Sequence, residues 1–123
     1  MKVLLSIRPE FALKIFDGSK RFEYRRTIFK QGAVTKVIVY ASAPIQKVIG
    51  EFEIGDILHD EPLALWDRTK NYAGISKDRF LQYFSNSVKG YAILVKTPTM
   101  YSSPLPLNWL MVSSPPQSFV YLR

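Results

Sequence analysis

Three side chains that could bind an anionic ligand lie close together in the chain, at Lys20, Glu23 and Arg25. The guanidinium of Arg25 can hold a phosphate or the edge of a base through paired donors. Glu23, flanked by cations, is expected to stay ionised and to accept hydrogen bonds from a ligand. Lys20 could swing a flexible amine toward the same place. A row of surface ion pairs, each worth well under ~1 kcal/mol, would use the same residue types.

The same group could also cleave RNA, because RNA carries its own nucleophile in the 2′-hydroxyl. A base near that hydroxyl and a cation near the phosphate would suffice, with Glu23 as the base and Lys20 or Arg25 stabilising the oxyanion. The neighbouring arginines favour ionised Glu23 and so weaken it as a base, and the chain has one histidine where nucleases often use a pair. The residues alone therefore favour binding over cleavage.

Three further residues are candidate ligand contacts. Arg8 lies where the first predicted strand meets a helix and could join the same cleft. Tyr40 and Ser42 end a central strand and could contact a ligand at its mouth, although such a tyrosine is more often part of the core. The chain contains no cysteine, which excludes thiolate zinc sites, iron–sulfur clusters and a cysteine nucleophile. We therefore expect neither a metal nor a cofactor.

The charge distribution points in the same direction. The 123-residue chain has a formal net charge of +7, from 17 Lys and Arg against 10 Asp and Glu. Residues 1–47 contain ten cations and three anions, whereas the remaining residues contain seven of each. The whole excess therefore lies in the first part of the chain, around residues 20–26. A one-sided excess is typical of proteins with a polyanionic partner, and a solubilising surface is the alternative.

The elements that must position these side chains can be predicted from apolar spacing. Residues 2–7 form an apolar run typical of a buried strand, Pro9 is suited to the first turn of a helix, and Gly18 supplies a left-handed stop. Residues 20–26 then alternate, as a half-buried strand with one charged face would. Further strands are predicted at 36–42, 48–54, 90–96 and 118–122, with a helix opening at Pro62 and another capped by Ser76.

These elements predict an α+β fold of about six strands and two or three short helices. Because most connections between the central strands are too short for parallel crossovers, we expect a mixed or closed antiparallel sheet. Residues 1–123 contain no linker that would divide them, so one domain is expected.

The motif Gly18-x-Lys20-x-x-Glu23-x-Arg25, after a strand and helix that meet at Ser6-Ile7-Arg8-Pro9, resembles the signature of the ASCH domain family. The resemblance implies a PUA-like β-barrel. It also implies that Lys20, Glu23 and Arg25 line a cleft that receives RNA or a nucleotide-like ligand.

The resemblance also bears on catalysis. One branch of the family deacetylates acetylated cytidine and uses a threonine, three residues after the lysine, as its nucleophile. This chain has Glu23 at that position, which disfavours that amidohydrolase reaction. Other members are reported to cleave RNA. A small hydrolase acting on RNA or a modified nucleoside is therefore the alternative to simple RNA or nucleotide binding, and whether the chain is an enzyme stays open.

Two expectations concern location and partners. The apolar run of residues 3–5 is far shorter than the ~7–15 residues of a signal-peptide core, and nothing approaches the ~18 needed for a spanning helix. We therefore expect a cytoplasmic protein without a membrane partner. The proline-rich residues 97–123 could instead capture a protein partner, although a structural role for this segment is the stronger expectation.

Overall fold

The computed structural model describes residues 1–122, which form a mixed sheet with helices packed on it. The strands are β1 (Lys2–Ile7), β2 (Phe22–Arg25), β3 (Lys36–Ala41), β4 (Lys47–Asp60), β5 (Gly90–Leu105) and β6 (Phe119–Leu122). The α-helices are α1 (Pro9–Asp17), α2 (Pro62–Thr69) and α3 (Lys77–Tyr83), and two short 3-10 helices cover Lys70–Tyr72 and Leu107–Leu110. This count, six strands and three α-helices, confirms the predicted α+β class.

The sheet order is β2-β5-β4-β3-β1-β6. β1 and β3 are parallel, and the other neighbouring strands are antiparallel. The sheet is open, because β2 and β6 form its two ends and do not pair through their backbones. The sheet is therefore barrel-like at most and does not close into the expected barrel. Side chains bring its ends together instead: Arg25 Nη2 donates to the Ser118 carbonyl at 2.8 Å, and the hydroxyls of Thr27 and Ser118 are 3.0 Å apart.

The first strand–helix unit forms as its sequence predicts. β1 is apolar and almost wholly buried, and Pro9 begins α1 at a position where a proline loses no hydrogen bond. Gly18 ends α1 with φ of 88°, a left-handed conformation that costs glycine little. The predicted cap of α3 is also present, since Ser76 Oγ accepts from the Arg79 amide at 3.2 Å.

Strand lengths differ from the prediction in both directions. β2 begins at Phe22 because the two preceding amides bond elsewhere, Lys20 to the Lys14 carbonyl at 3.1 Å and Arg21 to the Tyr72 carbonyl at 2.9 Å. β4 and β5 are much longer than expected. Their pairing absorbs three register shifts, and β5 continues through prolines at 98 and 104. Part of the predicted proline-rich tail is therefore a sheet strand.

The apolar side chains form three clusters. The largest lies between α1 and the sheet, and the second lies beneath α2 and α3. The third contains Tyr40 and is covered by side chains of residues 101–122. This packing gives the C-terminal segment a structural role. Within the part of the chain that the structure describes, no helix combines the length and apolar character needed to cross a membrane.

Candidate functional site

A cavity of about 590 Å³ opens beside β2, between the start of α1 and helix α3. We call it the cleft. Its lining brings together residues that are far apart in the chain, and its charged members are Arg8, Lys20, Glu23, Arg25, Arg26 and Arg79. Four of the six residues predicted from the sequence thus meet at one place. The cleft lining therefore contains five side chains of Lys or Arg and one carboxylate.

Lys20 is buried, with only 2% of its surface exposed. Its Nζ donates to the Ala73 carbonyl at 2.7 Å and lies 4.6 Å from the ring centre of Tyr24 and 5.4 Å from that of Phe11. Within residues 1–122 no carboxylate comes within 4.0 Å of it. Burial lowers the pKa of Lys20 to about 8, although the charge of Glu23 opposes this shift. The expected swinging amine is therefore held in place.

Two backbone features hold Lys20. After the left-handed turn at Gly18, the Ser19 amide donates to Asp17 Oδ1 at 2.8 Å, which directs the chain back across the end of α1. Gly74, with φ of +65°, lies against the lysine stem, and a Cβ added there would be 2.5 Å from Lys20 Cβ. Glycine at position 74 thus lets the loop approach closely enough for the Ala73 carbonyl to accept from the amine.

Glu23 and Arg25 project from the same face of β2, as their spacing predicts. Arg25 Nη1 lies 3.2 Å from Glu23 Oε2 and 3.5 Å from the Ser6 carbonyl. Because Nη2 donates to Ser118, the guanidinium joins β2, β1 and the segment before β6. Arg25 therefore orients Glu23 and fastens the two ends of the sheet, so that much of its hydrogen-bonding capacity is used within the protein.

The rim of the cleft is formed by exposed arginines, some of which lie over aromatic rings. The guanidinium of Arg26 lies 4.7 Å from the Tyr83 ring, and that of Arg79 lies 4.9 Å from the Phe11 ring. Arg79 also makes a bidentate pair with Glu10, at 2.9 and 3.0 Å. Stacking and pairing restrict these side chains and reduce the entropy lost on binding a ligand. Sequence analysis did not single out Arg79, because nothing local connects α3 with β2.

Ser6 is another cleft residue that sequence analysis did not identify as a site. Its Oγ is buried and has no hydrogen-bond partner in the described part of the chain. Buried hydroxyls are usually satisfied, so this oxygen is available to a ligand or a water. Its only sequence signal was its place at the strand–helix junction.

The structure places Tyr40 and Ser42 outside the cleft lining. Tyr40 is 3% exposed and packs in the third apolar cluster with Leu4 and Val48. Ser42 follows β3, and its amide donates to the Ile7 carbonyl at 3.0 Å. The prediction that Tyr40 and Ser42 contact a ligand therefore stays a prediction, and their positions outside the cleft lining do not support it. The described residues also contain no group of three or more His, Cys, Asp or Glu side chains placed to hold a metal ion.

The structure is thus a mixed-sheet α+β fold with a cavity, lined by several Lys and Arg side chains, beside the edge strand β2. The model of the ASCH domain matches residues 5–103, and the chain belongs to this family. The family that the motif from Gly18 to Arg25 predicts is thus confirmed.

Relatives and solved structures extend the comparison. An ASCH domain-containing ribonuclease from Zymomonas mobilis is 29% identical over 128 residues, covering 99% of this chain and 84% of that protein. The crystal structure of ASCH from Zymomonas mobilis superposes with a TM-score of 0.91 at 30% identity, over 99% of this chain and 87% of the other. The chain also matches ATP synthase subunit alpha of Ureaplasma parvum at 29% identity, but spans only 15% of its length.

Proposed function

We propose that this chain binds RNA in the cleft. The observation that carries the proposal is the convergence of five cations from three separate parts of the chain on one cavity with a buried carboxylate. Cations clustered in this way displace counterions from a phosphate backbone, which favours binding of a polyanion. Similarity to a ribonuclease of the same family supports RNA as the polyanion.

The exposure of the charged side chains suggests a division of roles. Arg8, Arg26 and Arg79 are exposed on the rim and are suited to phosphates. Glu23 and Lys20 lie deeper and offer an acceptor and a donor that could pair with a base edge or a ribose hydroxyl. In this scheme phosphates supply most of the affinity, and the deeper pair discriminates among nucleotides.

Fluorescence anisotropy with a labelled single-stranded RNA, measured across a salt series, tests the proposal. The affinity should fall as salt rises, and Arg26→Ala should reduce the salt slope by about 0.7 if it removes one phosphate contact. Arg68→Ala is the matched control, because Arg68 is an exposed arginine outside the cleft lining. Absence of binding at low salt, or equal effects of the two variants, would contradict the proposal.

A second candidate function is RNA cleavage, favoured by the properties of Lys20. With a pKa of about 8, this amine can give or take a proton near neutral pH. Glu23 or neutral Lys20 would take the proton of the 2′-hydroxyl, whose oxygen would attack the adjacent phosphorus. The bond from phosphorus to the 5′-oxygen would then break, and that oxygen would take up a proton, leaving a cyclic phosphate and a 5′-hydroxyl. Deacetylation of acetylated cytidine stays disfavoured, because Glu23 replaces the threonine.

Cleavage and binding can be separated with one RNA and one matched chimera. The RNA and the chimera are each incubated with the protein, with and without divalent cations. The chimera has 2′-deoxy sugars, so it lacks the attacking 2′-hydroxyl and cannot be cleaved by this route. Products from the RNA alone, lost in Glu23→Gln while binding is retained, would favour the ribonuclease. Binding without product under either condition would leave RNA binding as the function.

A further inference from the structure

Lys20 is unusual beyond its place in the cleft, because within residues 1–122 it is a buried amine with no carboxylate within 4.0 Å. Within the described residues its Nζ has one hydrogen-bond acceptor, the Ala73 carbonyl, and its other neighbours include the rings of Phe11 and Tyr24. Burying an ammonium in such surroundings is unfavourable, and an apolar side chain of similar length would fill the space without that penalty. Lys20 is nevertheless one of the residues that line the cleft.

We propose that the Lys20 amine is a nucleophile that condenses with the aldehyde of a phosphate-bearing sugar, with the abasic site of a single-stranded nucleic acid as the substrate that fits best. An abasic sugar has an aldehyde at C1′ and phosphates on both sides. Rim arginines could hold those phosphates, while the missing base lets the sugar approach the buried amine. The inference shares the phosphate-binding cleft with the proposed RNA binding and adds a covalent reaction to it.

The reaction needs no other reactant than water. The lone pair of neutral Lys20 attacks C1′, and the resulting carbinolamine loses water to give an imine, which takes up a proton. Glu23 can then accept a proton from C2′. The electrons of the broken C2′–H bond form the C1′–C2′ double bond, and the iminium nitrogen becomes neutral. The nitrogen lone pair then restores the iminium, the electrons of the C1′–C2′ double bond form a C2′–C3′ double bond, and the C3′–O bond breaks with release of the 3′-phosphate as the leaving group. Hydrolysis of the remaining imine regenerates the amine and an unsaturated aldehyde.

The protonation state of Lys20 supports this role. In the neutral amine, an N–H can donate to Ala73 while the lone pair stays available to a ligand. A pKa of about 8 leaves roughly a tenth of the amine neutral at pH 7, compared with fewer than one in a thousand for an ordinary lysine. The imine should therefore form at neutral pH, where an ordinary lysine reacts far more slowly.

Borohydride trapping tests the proposal on the full chain. A labelled single-stranded oligonucleotide with one abasic site is incubated with the protein and reduced with borohydride, which converts an imine into a stable amine link. Peptide mapping by mass spectrometry then locates the link on the wild-type chain, so the result does not depend on any variant folding. Lys20→Met should reduce trapping at least tenfold, whereas Lys89→Met, at an exposed position outside the cleft, should not change it.

Two further arms define the substrate. Ribose 5-phosphate at equal concentration tests whether a free sugar phosphate is trapped as well as the oligonucleotide, and better trapping of the oligonucleotide identifies the abasic site. A link on Lys20 in either arm supports the nucleophile. No adduct, or adducts spread over exposed lysines, would overturn it. RNA anisotropy on the same preparation shows separately whether the cleft binds RNA.

Discussion

Replacing Lys20 with methionine should change how the stability of the domain depends on pH. The side chain is almost fully buried, and burial lowers its pKa from 10.5 to about 8. Between these pH values the unfolded chain holds the proton and the folded chain has released it. The unfolded state then binds more protons, so the free energy of unfolding rises with pH. The penalty for burying the ammonium is fully present below about pH 8 and disappears above about pH 10.5.

The size of the effect follows from the shift. Each pKa unit corresponds to about 1.4 kcal/mol, so the full penalty is about 3 kcal/mol. At pH 7, Lys20→Met removes this penalty but also leaves the Ala73 carbonyl without its donor, a loss of about 1–3 kcal/mol. The variant should therefore be as stable as the wild type or slightly more stable at pH 7. Between pH 7 and pH 10, the free energy of unfolding of the wild type should rise by about 2–3 kcal/mol relative to that of the variant.

Urea denaturation of both proteins at pH 7 and pH 10 measures this difference. With a slope of about 1–3 kcal/mol per molar urea, the gap between their midpoints should change by about 1 M or more. All other ionisable groups are shared by the two proteins, so their contributions to the pH dependence cancel. Lys89→Met controls for the lost positive charge, since Lys89 is exposed. If the difference in the free energy of unfolding between wild type and Lys20→Met stays constant from pH 7 to pH 10, burial does not lower the pKa of Lys20 in the folded chain.

Two further substitutions test the packing around the cleft. Gly74→Ala should lower the free energy of unfolding, measured by denaturation, by more than Gly32→Ala does. Both positions have positive φ, so both substitutions add backbone strain of about 1–2 kcal/mol. Only at Gly74 would the new Cβ also meet Lys20, which adds overpacking of about 1–3 kcal/mol. Equal losses would show that the contact with Lys20 is not tight. Tyr24→Phe removes the 2.7 Å hydrogen bond to Thr69 and should lower stability by about 1 kcal/mol in thermal unfolding, and an unchanged melting temperature would argue against that bond.

Much of the fold follows from local patterns. The apolar run of β1, the proline that begins α1 and the glycine that ends it could all be identified without a structure, because each acts through its own backbone or its nearest neighbours. The lengths of β4 and β5 could not be predicted. The parts that lie beyond the predicted strands are partly exposed and contain glycine or proline. Residues 57–60 of β4 pair with the predicted part of β5, and residues 99–105 of β5 pair with the predicted part of β4, so only this long-range pairing across register shifts makes them strands.

The motif from Gly18 to Arg25, the element order around it and the family could all be identified from residue spacing, because spacing on one strand sets which side chains share a face. Three features could be seen only in the folded chain: Lys20 is buried, Arg25 links the two ends of the sheet, and Arg79 lines the cleft. Each of these facts depends on a contact between segments distant in sequence: the Ala73 carbonyl, the Ser118 carbonyl and helix α3. Such contacts come from the packing of the whole chain, and local spacing does not encode them.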